Sequence, residues 1–295
     1  MNTRFFGRAL WAGALALLSG GLAEAQVHRT FVSVSGNDSN DCLNPGSACR
    51  TINGAIGKVD ANGEVIIVTT GSYAGANITK AVRINAPTGI VAYAALPVTI
   101  NAGASDVVVI RGFTLKALTP GVGTGFVINS AGQVTLERAV IDGWATGVSV
   151  ASANTTLVLS DSVVRNNTTG LETTGGATAP KVSILKTRFE KNVTGVNALT
   201  GTVAVARSTF SGNTTAGISQ AGTVSTALDR CLVSNNGAGI LVTGTGTMLL
   251  SNSLVWKNTT GVDVAGGATG ESFGSSGIRG NTTNVTGTLS AVATQ

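Results

Sequence analysis

Histidine is almost missing from this chain of 295 residues; there is one, His28, close to the start. That removes the commonest general base and metal ligand from the body of the protein. Aromatic residues make up only 4 % of the chain, too few for platforms on which nucleic-acid bases stack. Charged residues are scarce at 11 %, and beyond residue 25 cations outnumber carboxylates by only 17 to 13. In the sequence the basic residues are scattered and often sit beside acidic ones, so no nucleic-acid stripe is expected. No two aspartates are adjacent, and no window after residue 25 is long and apolar enough to cross a membrane. Helical periodicity is absent from the last two-thirds of the chain.

What is present begins with an export signal. Arg4 and Arg8 precede the apolar run "ALWAGALALLSGGLA", and "AEA" ending at Ala25 is an A-x-A cleavage pattern. The run is short of the ~20 residues of a bilayer span, so residues 1–25 are predicted to be a signal peptide rather than an anchor. The expected location is secreted or periplasmic. In that setting Cys42 and Cys49 are predicted to close a disulfide loop stabilising by roughly 2.5 kcal/mol. A metal site at this pair lacks further ligands, and no cofactor is expected anywhere.

The rest of the chain repeats. One template, apolar-x-apolar-x-x-small-x-apolar-x-x-Asn-x-x-Gly-apolar, fits "LVLSDSVVRNNTTGL" from Leu157 and "VSILKTRFEKNVTGV" from Val182. It returns through "TMLLSNSLVWKNTTGV" to the weaker "GESFGSSGIRGNTTNV". Asn167, Asn192, Asn213, Asn236, Asn258 and Asn281 recur every 21 to 25 residues, and Trp144 stands in the same place one unit earlier. Each unit holds three short β-branched, Thr-rich runs with period-2 alternation, which suit strands. Leucine-rich repeats have a similar length, but leucine does not dominate and no segment suits their convex helix. The expected fold class is all-β: a right-handed parallel β-helix, a solenoid of coils stacked at about 4.8 Å.

In that fold the asparagine amide donates and accepts between equivalent turns of neighbouring coils. Sequons such as Asn192-Val193-Thr194 are then expected to be mainly structural, since a sugar on a ladder asparagine would have to sit inside the stack. The glycine three residues later is expected to supply a positive φ, with Asn284 replacing it in the last unit. Ala139, Ser162, Thr187, Ser208, Cys231 and Ser253 form a small inward column, and Ile141, Val164, Phe189, Phe210, Val233, Val255 and Ile278 an apolar stack. One position on, Asp142, Arg165, Glu190, Ser211, Ser234, Trp256 and Arg279 should point outward, with charge alternating from Asp142 to Glu190. Ahead of the repeats, Ile52, Ala55, Ile56 and Val59 keep one-face helical spacing, predicting a short N-terminal capping helix. The expected divisions are a signal at 1–25, a strand, disulfide loop and helix at 26–62, and coils at 63–295.

The order F-V-S…G-N-D…C…C-R-T-I…A-I…G-E-V-I-I-V…G-S-Y resembles the start of bacterial secreted proteins with right-handed parallel β-helix repeats, of the pectin-lyase-like fold. The resemblance covers nearly the whole mature chain and implies the fold far more than a function. Enzymes of that fold cleave acidic polysaccharides, yet the carboxylates here are spread over different columns and distant coils. No catalytic residue is assigned. The candidate binding residues are Trp256 and Arg279, with Asp142, Arg165 and Glu190 on the same column. The expectation is an exported, non-catalytic β-helix protein whose partner is an extracellular polysaccharide or the cell surface. The alternative is a polysaccharide lyase or glycoside hydrolase.

Overall fold

A computed structural model describes residues 27–152, 154–174 and 179–292. The predicted signal peptide lies outside the described residues. Three sheets run the length of the body, one of twelve strands and two of ten, and every pairing in them is parallel. Sheet I runs from Arg29–Val32 to Leu289–Val292, sheet II from Gly71–Tyr73 to Gly277–Ile278, and sheet III from Ala76–Ile78 to Thr283–Thr286. In the repeats each coil contributes one strand to each sheet in turn. Alternation then sends Val134 and Leu136, Leu157 and Leu159, Val182 and Ile184 into a continuous buried column. On sheet II the apolar stack is in register from Ile141 through Phe189 and Phe210 to Ile278, and the two phenylalanine rings lie 5.0 Å apart.

The asparagines stack at the turn between sheets II and III. Asn192 Oδ1 accepts from the backbone N–H and the Nδ2 of Asn167, both at 3.0 Å. Asn192 Nδ2 in turn donates to Asn213 Oδ1 at 3.0 Å and to the Val164 carbonyl at 3.1 Å. The same bonds recur at Asn213, Asn236 and Asn258, all buried. Trp144 closes one end, its N–H donating to Asn167 Oδ1 at 2.8 Å. At the other end Asn284 Oδ1 accepts from Asn281 N and Nδ2 at 3.2 and 3.1 Å. The amide set thus joins consecutive coils directly.

The glycine column corrects the expectation. The left-handed residue is the one just before each ladder asparagine: Asn166, Lys191, Gly212, Asn235, Lys257 and Gly280, with φ between 55° and 68°. The glycines three or four residues after the asparagine have no positive φ, and neither does Asn284. They are glycine because of close approach. A Cβ on Gly147, Gly170, Gly195, Gly217 or Gly239 would fall within 3.0 Å of the carbonyl oxygen of the next glycine in the column. Among the described residues nothing stacks on Asn284 in that way, so a side chain fits there.

A second ladder stands at the turn between sheets I and II. The N–H of Ala139, Thr187 and Cys231 donates to the hydroxyl of Ser162, Ser208 and Ser253 at 3.0, 3.1 and 3.0 Å. Those hydroxyls donate back within their own coil, to the carbonyls of Ser160, Ala206 and Ser251. The small column is therefore selected for a hydroxyl as well as for size. Cys231 keeps the position with a weaker donor, and burial pushes its thiol up to about 11.

At the N-terminal end, Cys42 and Cys49 form the disulfide, and the loop pairs with the free edge of sheet I. Phe31 N donates to the Cys42 carbonyl at 2.8 Å, and Cys49 N to the Phe31 carbonyl at 2.9 Å. The helix Ile52–Lys58 buries Ile52, Ala55 and Ile56 against the first strands of sheets I and III. For Asp38, burial raises the carboxyl, but hydrogen bonds from Thr51 and the Arg50 N–H outweigh it and hold the group below the usual carboxylate range. Asp38 thereby ties the loop to the helix start.

Two expectations follow. Asn213→Ala strands the N–H and Nδ2 of Asn192 and the Phe189 carbonyl, and should cost at least about 3 kcal/mol in denaturant unfolding. Asn281→Ala, at the half-buried end of the ladder, should cost less than that. Gly195→Ala should lower the thermal midpoint by more than substitution of an exposed glycine such as Gly57, where an added Cβ meets nothing within 4 Å.

Candidate functional site

The outward column of sheet II runs in register from Lys116 through Asp142, Arg165, Glu190, Ser211 and Ser234 to Trp256. Arg279 follows Ile278, the partner of Val255, and its N–H donates to the Val255 carbonyl at 3.2 Å. Ser234 departs from the outward expectation and is buried. The charge alternation holds in part. Arg165 Nε meets Asp142 Oδ2 at 3.1 Å, and Asn166 Nδ2 takes the other Asp142 oxygen at 2.8 Å. Glu190 pairs instead with Arg188 of its own strand at 3.4 Å. A neighbour on the same strand competes with the stacked guanidinium, and sequence alternation along the column does not show this.

Trp256 and Arg279 come together. With Leu254 they line an open groove of about 380 Å³. Trp256 is 40 % exposed, and its indole lies against the next coil at Gly280, where a Cβ would overlap the ring. Lys257 Nζ sits 4.3 Å from the indole centroid. An adjoining groove of about 610 Å³ is lined by Arg230, Leu232, Asn252, Leu254, Ser275 and Arg279 among others. The arrangement offers an exposed aromatic face, hydroxyl and amide donors, and guanidinium groups within one shallow depression. Asp142, Arg165 and Glu190 lie away from it; five coils at about 4.8 Å each separate Asp142 from Trp256 by roughly 24 Å.

Could the carboxylates act as a pair? Asp142 and Glu190 are two coils apart, about 9.6 Å along the stack, near the upper end of the separation in inverting glycosidases (~6.5–9.5 Å). Arg165 stands between them, bonded to Asp142, where an attacking water would have to sit. Glu172 and Asp263 are on sheet III, and Asp229 and Glu271 on sheet I. Among the described residues no three of His, Cys, Asp and Glu are grouped to hold a metal ion.

Sequence reasoning missed Asp229. Its carboxylate accepts from Asn252 Nδ2 at 2.8 Å, Arg230 Nε at 2.7 Å and Ser251 Oγ at 2.9 Å. These bonds, Asn252 first, lower it from the ordinary 3.8 to about 2. A depressed folded-state value means the stabilisation is present above about pH 4 and is lost as pH falls through about 2. Asp229→Asn should therefore flatten the stability loss between those pH values. The effect should be a few tenths of a kcal/mol, since the group is solvent-screened, as read by acid titration of urea unfolding.

Comparison with known proteins bears on the fold. The family described as a right handed beta helix region matches residues 124–282. No curated protein sequence matches the chain. Among solved structures, the chain is similar to pectate lyase Pel9A, with a TM-score of 0.53 and 15 % identity, covering 92 % of this chain and 78 % of that one. It is also similar to a rhamnogalacturonan lyase, with a TM-score of 0.43 and 11 % identity, covering 84 % and 74 %. At these identities the likeness concerns the fold alone.

Proposed function

The chain belongs to the right-handed β-helix family, and from that premise we propose that it is an exported, non-catalytic β-helix protein that binds extracellular glycans or acts at the cell surface. The observation that carries the reading is Trp256, exposed beside Arg279 on an open groove of a rigid sheet. An aromatic face with flanking donors is a chemistry that recognises sugar rings: the apolar face of the ring stacks, and its hydroxyls meet Arg279, Asn252 and Ser275. Export is supported by the signal-like start and by the buried Cys42–Cys49 disulfide, a bond that persists in oxidising compartments.

A lyase or hydrolase is the second reading; the two-coil spacing of Asp142 and Glu190 favours it, and Arg165 between them opposes it. Incubation with polyuronates, with and without calcium, separates the two. The binding reading expects retention on immobilised glycans without unsaturated products or new reducing ends. Trp256→Ala should weaken that retention about tenfold, the size of a lost aromatic contact, with an unchanged circular dichroism spectrum. Turnover abolished by Asp142→Ala or Glu190→Ala would replace the binding reading with the enzymatic one.

A further inference from the structure

From Lys186 to Arg279 every lysine and arginine lies on sheet II or at one of its two corners. At the corner between sheets I and II, Lys186, Arg207 and Arg230 occupy the same position on consecutive coils. Their N–H groups donate to the carbonyls of Ala206, Asp229 and Ser251, at 3.1, 3.0 and 3.2 Å. At the corner between sheets II and III stand Lys191 and Lys257, with Arg188 on the strand face and Arg279 just past its last strand. The nearby carboxylates are already engaged: Asp161 with Lys186, Glu190 with Arg188, and Asp229 with Arg230. Lys191, Arg207, Lys257 and Arg279 have no carboxylate partner among the described residues. Over the same coils the strands of sheet III carry Asp263 and no lysine or arginine.

The backbone makes this placement unusual. Lys186, Arg207, Arg230, Lys191 and Lys257 all have φ between 47° and 56°. Glycine or asparagine adopts that conformation at lower cost, as Gly212, Asn235 and Asn252 do at equivalent turns. Long cations are therefore kept on both margins of sheet II against the local preference, and a strained position of this kind points to a use. Between the margins the outward positions carry Arg188, Glu190, Thr209 and Ser211, then Leu232, Leu254 and Trp256. Leu232 and Leu254 are in register, Trp256 lies beside them, and Leu232 and Trp256 are 38 % and 40 % exposed.

We infer that the outer face of sheet II, from Arg188 to Arg279, is a docking face for an anionic lipid surface. A strand face with cations along both margins and exposed Leu232 and Trp256 between them matches a plane of anionic headgroups over an apolar layer. A single bound polymer would engage one line of charge, whereas here the cations form parallel lines across a face three residues wide. Sheet III carries no cation on its strands over these coils and is not the side such a surface attracts. This inference does not rest on the glycan reading, because Lys186, Lys191 and Arg207 lie outside the groove.

Co-sedimentation with phosphatidylcholine vesicles, with and without phosphatidylglycerol, tests it. The protein should bind only the anionic vesicles, and added salt should release it. Lys186→Asn with Arg207→Asn, which places a residue suited to left-handed backbone at both sites, should weaken binding at least tenfold, as loss of two surface cations implies. Arg83→Gln with Lys181→Gln removes the same charge from sheet I and should leave binding within about twofold. Absence of binding to anionic vesicles would overturn the inference, as would equal losses in the two double variants. Retention on a soluble polyanion such as heparin without vesicle binding would also overturn it and assign the face to a polymer. Neutral-glycan binding that survives any of these results leaves the glycan reading standing.

Discussion

The structure depends on one side-chain amide per coil bonded to the amide above and the amide below. A β-helix corner leaves inward-facing N–H and C=O groups that water cannot reach, and each must find a partner. The asparagine satisfies its neighbour's N–H and a carbonyl of the preceding coil while passing the bond on through Oδ1 and Nδ2. Serine hydroxyls perform the equivalent task at the next corner. With two corners locked and three sheets in register, the interior columns stack like on like, and phenylalanine meets phenylalanine. The bonded column then closes at Trp144 and at Asn284.

That arrangement sets what the outside can do. Glycines stand both at left-handed turns, as Gly212 and Gly280 do, and at the crowded corner where carbonyl meets Cβ. The remaining left-handed positions of the repeats carry polar or charged side chains. Those positions receive lysine and arginine on both margins of sheet II, beside the exposed Trp256. Stability resides in the inward columns. The outward columns are free of that constraint, which is how one solenoid carries cations along both corners of sheet II beside exposed Leu232 and Trp256.

Much of the fold was legible in the sequence because its period is strict. The ladder, the apolar stack, the capping helix and the disulfide partners are all visible as spacing. The role of the glycines was not, because two constraints, positive φ and close approach, select the same residue. Only the coordinates separate Gly195, which is crowded, from Lys191, which is left-handed. The hydroxyl ladder hid behind a cysteine and an alanine that broke its chemical signature. The alignment of Lys186, Arg207 and Arg230 at one corner is not apparent as a cluster in the sequence, because residues adjacent in space lie a full repeat apart in the chain. At the candidate site, Trp256 and Arg279 were found together from column alignment alone. The Arg188–Glu190 bond depends on rotamers that a sequence does not carry.

Side-chain amide hydrogen exchange, followed by NMR on asparagine-labelled protein, tests the central claim most directly. If consecutive coils are joined amide to amide, the Nδ2 protons of Asn192, Asn213 and Asn236 should exchange only through opening of the stack, together with the backbone N–H groups they bond beside. Exchange of those side-chain protons at the rate of an exposed asparagine, while the backbone amides stay protected, would contradict the account.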